Sequence, residues 1–200
     1  MSTKCRAAVM AAAVCLLGLS GSQARADDAL VPASLIKDIK SWASTPVVLM
    51  TVKASNKRHA GITEPQILVL DKQWRAERKS TDQPLITSVV SSPLSGYLTR
   101  VQANSLGLIS EIIVMDDVGL NAGQSDITTD FWQGDEAKFQ KTFPKGAGAL
   151  FIDKPEVEKD TGTERVQVNM TLDDGGTPVG AITVEINLTE MRRRQQAGKL

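Results

Sequence analysis

The chain has 200 residues, 23 basic and 23 acidic side chains, two cysteines and one histidine. With its formal charge balanced, it carries no basic field that would hold nucleic acid or an anionic membrane surface. Its single His59 is read as excluding clustered-histidine metal sites, Ser-His-Asp triads and Cys-His pairs.

The N-terminus reads as a leader. Lys4 and Arg6 make a short basic region, Ala7 to Leu19 are almost all apolar, and Ala24-Arg25-Ala26 fits a small-x-small cleavage site. This is the three-part pattern of a secretory signal peptide, and the apolar stretch is short for a membrane span. Cleavage is expected after Ala26, with a retained anchor as the alternative. Cys15 lies inside the apolar run behind Val14, which argues against a lipoprotein anchor. Both cysteines leave with the leader, so the periplasmic product is expected to have no thiol and to rely on core packing. The leader also takes Lys4, Arg6 and Arg25 and no acid, which makes the mature chain mildly acidic.

Four helices are expected next. From Asp28 to about Ser44, Leu35, Ile39 and Trp42 recur at helical spacing, with Asp27 or Asp28 as cap. Thr45-Pro46 reads as a cap followed by proline at the first helical position, opening a second helix through "VVLMTVKASNKRH". Ile67, Leu70 and Trp74 line one face of "EPQILVLDKQWRAERK", and Leu94, Leu98 and Val101 one face of "SPLSGYLTRVQANS". At these spacings Trp42 and Trp74 read as core residues.

The character changes at Gly107. "ISEIIVM" reads as a strand and "LNAGQS" as its return. "DFWQGDEAKFQKTFPKG" holds a short helix capped by Asp135, "GALFID" is another strand, and "KPEVEKDTGTE" is a polar loop. "RVQVNMTLDD" and "GAITVEINL" form a closing hairpin, and "MRRRQQAGKL" is expected as a solvated basic end from Arg192 to Leu200. Hairpin-joined strands imply an antiparallel sheet with long helices across one face, an α+β single domain over residues 27–191.

Asp116, Asp117, Asp173 and Asp174 close the two apolar runs and read as turn corners. Asp174-Gly175 is favoured in tight hairpins, and Asp116-Asp117-Val118-Gly119 fits a longer turn with a left-handed glycine. The Asp-x-Asp-x-Asp-Gly loop that would gather oxygens around Ca²⁺ is absent. As surface corners, Asp116→Asn and Asp173→Asn are expected to cost less than about 1 kcal/mol.

Alternation in the closing hairpin puts Val166, Val168, Met170 and Leu172 on one face and Gln167, Asn169 and Thr171 on the other. Thr183 and Glu185 join the polar face. Residues 125–145 are its expected roof, and there Asp126, Thr128, Asp130, Phe131, Trp132 and Gln133 crowd into a short stretch. Polar groups converging beside aromatic rings describe a small-ligand pocket, built from Asp126, Thr128, Asp130, Trp132, Gln133, Gln167 and Asn169. A capped loop with Trp132 as a plug is the competing reading.

The ordered set — N-terminal helix, "EIIVMDDVGLNAGQSD", "TTDFWQGDEAKFQKTF", "GALFID" and "VNMTLDDGGTPVGAITVEINL" — resembles the Cache family of extracellular PAS-like sensor domains, of the PhoQ-DcuS-CitA type. The resemblance implies a PAS-like sheet that binds a small metabolite, such as an amino acid or carboxylate, beneath a covering loop. Such domains usually belong to membrane-embedded kinases, chemoreceptors or cyclases. Here no apolar span or output domain is expected after Leu188, so the chain reads as a free periplasmic module. The resemblance allows a membrane-bound sensor kinase or receptor as partner, and a homodimer. Amino-acid-binding members place an arginine just before an aromatic pair. Thr129-Asp130 precede Phe131-Trp132 in this chain, so that specificity is not carried over.

A non-enzymatic ligand-binding protein without cofactor or metal is therefore expected. A ligand-free docking module is the alternative, and a metal-dependent enzyme using Asp126, Asp130 and Glu185 is the least favoured.

Overall fold

A computed structural model describes residues 30–199. The expected leader, its cleavage site, both cysteines and the caps Asp27 and Asp28 lie outside the described residues. Among the described residues, no helix is long and apolar enough to cross a membrane.

Five helices precede the sheet: α1 (Ala33–Ala43), α2 (Pro46–Arg58), α3 (Glu64–Glu77), α4 (Pro84–Val90) and α5 (Pro93–Asn104). Proline in the first turn marks α2, α3, α4 and α5. It fits there because the N–H it lacks would have no intrahelical acceptor. The apolar stripes point inward as expected: Leu35, Ile39, Trp74, Leu94 and Leu98 are buried, and Trp42 packs against the main core. Helix α4 had no clear periodicity, because "PLITSVV" is short and mostly β-branched. Glu77 supports it by accepting from the Ile86 N–H at 2.9 Å.

The sheet has six antiparallel strands: β1 (Ile109–Met115), β2 (Asn121–Gln124), β3 (Leu150–Ile152), β4 (Glu156–Val157), β5 (Glu164–Asp174) and β6 (Thr177–Asn187). Their order is β2-β1-β6-β5-β3, with β4 also on β5. This is the expected antiparallel sheet in an α+β layer. Ile112, Val114, Val166, Val168, Ile182 and Val184 form its apolar face and pack with residues of α1, α2 and α5 in one core.

Three local expectations change. The closing turn lies one residue later than expected: Asp174 pairs with Thr177, and Gly175 and Gly176 form the two-residue loop at φ 61° and 89°. Two consecutive positive φ angles suit a hairpin turn whose twist matches the strands, and glycine adopts them without strain. The short helix α6 (Ala137–Gln140) starts after Glu136, so Asp135 is not its cap. The basic end is not free in solvent. Helix α7 (Leu188–Gln196) buries Leu188 and Met191, and Arg194 donates to the Ser105 and Leu106 carbonyls at 2.7 and 2.8 Å.

Candidate ligand site

The polar face of the closing hairpin is covered. Asn169 opposes Thr183, whose hydroxyl donates to Asn169 Oδ1 at 2.8 Å, while Asn169 Nδ2 donates to the Phe151 carbonyl at 3.1 Å. Both residues are almost fully buried. Their roof is the later part of the expected segment, α6 and the 3₁₀ turn at Phe143–Lys145, where Phe139 packs on Ile113, Met115 and Ala181. Beside it lies a polar pocket of about 240 Å³ lined by Glu136, Arg165, Gln167 and Glu185. Glu111 faces Glu185 across β1 and β6. Burial first, and the like charge of Glu185 second, push the Glu111 carboxyl up to about 7.

The earlier part of that segment goes elsewhere. Residues 126–133 run along the β2 edge to α3, where Asp71 Oδ1 accepts from the Phe131 and Trp132 N–H groups at 2.8 and 3.2 Å. Trp74 donates from Nε1 to the Thr128 carbonyl at 3.0 Å and stacks on Phe131 at 5.2 Å. Arg75 bridges Asp71 and Asp130. Trp132 is half-buried and donates from Nε1 to the Val118 carbonyl at 2.9 Å. Gln133 donates to Asp130 Oδ1 at 2.7 Å, and exposed Asp126 accepts from Gln102 at 2.9 Å. The seven sequence-selected residues therefore fall into two places. Thr128, Asp130, Trp132 and Gln133 gather at the β2 edge with Asp126 nearby, while Gln167 and Asn169 lie on the sheet face away from the helices.

A cavity of about 510 Å³ opens between α2, α4, α5 and β2. Arg58, His59, Ser88, Ser92, Asn121 and Phe131 supply its polar lining and one aromatic wall. Asn121 is 2% exposed, and its Nδ2 donates to Gln124 Oε1, Thr128 Oγ1 and the Asp130 carbonyl at 3.0, 2.8 and 3.1 Å. Its Oδ1 has no partner among the described residues, and neither has Gln124 Nε2. Leaving such a group buried and unpaired costs about 1–3 kcal/mol. Sequence reasoning passed over Asn121 because it opens a plain return strand. Its place in the cavity depends on α2 and α4, far away in the chain.

Behind the cavity wall stands a buried cluster. Asp116 has no exposed surface. Its Oδ2 meets His59 Nδ1 at 2.6 Å and accepts from Ser55 Oγ at 2.9 Å. Its Oδ1 accepts from the Val118 and Leu120 N–H groups at 3.2 and 2.9 Å. Asp116 does form the turn expected of it, with Gly119 at φ 84°, but it is a buried hub and not a surface corner. Asp174 fits the simpler picture, half-exposed and paired with Lys53.

The exclusion of a serine–histidine–aspartate grouping is also corrected, since one histidine is enough to bring Ser55, His59 and Asp116 together. The geometry is not that of an acyl-transfer triad. Ser55 donates to the aspartate, whereas a nucleophile must face the other ring nitrogen, Nε2. Among the described residues, no group of three or more His, Cys, Asp or Glu is placed to hold a metal ion.

No family model matches the chain. No curated protein matches it either. Several solved structures resemble it in shape. The ligand-binding domain of the Campylobacter jejuni chemoreceptor Tlp3, in complex with 4-methylisoleucine, aligns at a TM-score of 0.38 and 11% identity, over 80% of this chain and 56% of that one. The ligand-binding domain of the Pseudomonas aeruginosa PAO1 amino acid chemoreceptor PctC, in complex with GABA, aligns at 0.41 and 10% identity, over 80% and 62%. The extracellular domain of rpHK1S-Z16, assigned to a histidine kinase, aligns at 0.41 and 14% identity, over 81% and 64%. The chain thus spans less than two thirds of each of these relatives.

Proposed function

We propose that this chain is a non-enzymatic, periplasmic small-molecule-binding protein of the sensor type, working with a membrane-bound signalling partner. One observation carries the proposal: a cavity of about 510 Å³, large enough for a metabolite, lined by the polar side chains of His59, Ser88, Ser92 and Asn121 and by the ring of Phe131. In this reading Asn121 is part of the polar wall the ligand meets, and Thr128 and Asp130 hold its amide in place. Phe131 forms the apolar wall, while Asp126, Trp132 and Gln133 fix the loop that carries it. Gln167 and Asn169 support the roofed face behind the sheet.

A docking module is the second reading. It is favoured by an open groove of about 620 Å³ between the α2–α3 turn and α3, where Val69 is 65% exposed. A thermal-shift screen of the mature domain against amino acids, carboxylates, purines and divalent ions separates the two. A true ligand at a hundredfold excess over its Kd stabilises by about 2.7 kcal/mol, and Asn121→Ala should weaken that response. A screen with no response favours docking.

A further inference from the structure

The His59–Asp116 pair deepens the ligand-binding reading and rests on it. His59 lines the cavity, and its Nδ1 is committed to Asp116 Oδ2 at 2.6 Å. Nε2 has no hydrogen-bond partner among the described residues. The hydroxyls of Ser88 and Ser92, also on the cavity wall, are directed to the Leu85 carbonyl and to Ser95. A neutral ring beside a carboxylate keeps its proton on Nδ1, where it donates to Asp116, and so presents a lone pair at Nε2. Adding a proton leaves the Nδ1 bond in place and turns Nε2 into a charged donor.

We propose that His59 is the specificity-determining residue of this cavity: when protonated it donates from Nε2 to the carboxylate of a small organic anion, beside Arg58, and when neutral it presents a lone pair that repels the same group. Binding of the anion therefore takes up one proton at His59, and Asp116 is the positioning residue that fixes which nitrogen faces the ligand. The charged surroundings agree. Asp116 and Asp117 of the β1–β2 turn lie on the acidic side, and Arg58 is the last residue of α2, just before His59. Helices α4 and α5 bring only uncharged groups to the cavity. His59 also caps the C-terminus of α2, where free carbonyls favour a cation.

Only the protonated ring donates from Nε2, so the affinity for an anion, followed through a pH series, should be highest at the acid end and fall as pH rises. Because His59 is the only histidine, an untagged mature chain gives one unambiguous imidazole signal in NMR. Acetate, succinate and L-glutamate serve as probes, with uncharged succinamide as control.

The neutral ring is expected as the Nδ1–H tautomer, and at a fixed pH a bound carboxylate should increase the doubly protonated fraction seen in its NMR signals. Affinity should drop roughly tenfold or more across the pH series. The variant His59→Gln, which keeps an uncharged donor, should bind the same probe more weakly and without that pH dependence. Carboxylate binding that ignores pH in the wild-type chain, a neutral Nε2–H tautomer, or equal affinity for succinamide would each overturn the proposal. So would failure of all three carboxylates. If another compound class then binds, the ligand-binding reading survives alone; if the wider screen is also silent, both fall.

Discussion

At the scale of single residues, Asp116 and Asp174 show how similar turn aspartates differ once their surroundings are known. Asp174 pairs with Lys53 in solvent, an interaction worth at most about 1 kcal/mol. Asp116 lies behind the cavity wall and holds Ser55, His59 and two backbone N–H groups. Removing its carboxyl leaves several buried donors without an acceptor, at about 1–3 kcal/mol for each one that water cannot reach. Asp116→Ala is therefore expected to lose at least about 2 kcal/mol in urea titration, against less than about 1 kcal/mol for Asp174→Ala. Equal small losses would remove Asp116 from its role as a hub. Glu111 makes a pH-dependent case. Its carboxyl is raised from an ordinary 4.5 to about 7 by burial and by Glu185, so the folded state binds its proton more tightly than the unfolded chain does. Its contribution to stability is therefore complete below about pH 4.5 and is lost as pH rises through about 7, by at most about 3 kcal/mol. Glu111→Gln should gain stability relative to wild type across that window, measured as urea midpoints at each pH. A difference that stays constant with pH would rule this out.

At the scale of elements, legibility followed the range of the interactions. The closing hairpin was readable because period-two alternation is local: Val166, Val168 and Met170 turned to the core, while Asn169 and Thr183 met on the other face. The long helices were readable from their stripes and first-turn prolines. The end of the chain was not, because three consecutive arginines suggest solvent, whereas α7 is held by Met191 beneath it and by Arg194 on the carbonyls after α5. The cavity was not readable at all, since Arg58, Ser88, Asn121 and Phe131 meet only through tertiary packing. The glycines at the two turns divide in the same way. Gly176, at φ 89°, faces open space, so Gly176→Val carries backbone strain alone, about 1–2 kcal/mol. Gly119, at φ 84°, has the Cα of Gly134 2.5 Å from where a Cβ would stand. Backbone cannot swing aside as a side chain can. Gly119→Val should cost clearly more than Gly176→Val and should release the nearby indole of Trp132 from Val118, seen as a shift in its NMR indole N–H signal. Equal costs, with the indole signal unmoved, would mean that this contact does not hold the loop.

At the scale of the whole molecule, the sheet separates two environments with different tasks. On one side, helices α1, α2 and α5 build a continuous core and, together with α4 and β2, leave the cavity. On the other side a four-residue helix and one 3₁₀ turn cover a polar face, anchored by Phe139 and Phe143. Local stability follows buried apolar contact, so the two sides should open at different free energies. Strand β6 is flanked by β1 and β5, and its Ala181, Ile182, Val184 and Ile186 have no exposed surface. Its amides should exchange slowest. The roof at 137–145 has far less apolar surface to hold it and should exchange faster. A ligand seated among α2, α4, α5 and β2 stabilises the states in which those elements are closed, and touches nothing in the roof. Hydrogen exchange with the best compound from the screen should therefore gain protection in 46–59, 84–96 and 119–131, with little change in 137–145. Protection confined to the roof and to Gln167 and Glu185 would move the ligand to the polar pocket behind the sheet and abandon the helix-side cavity.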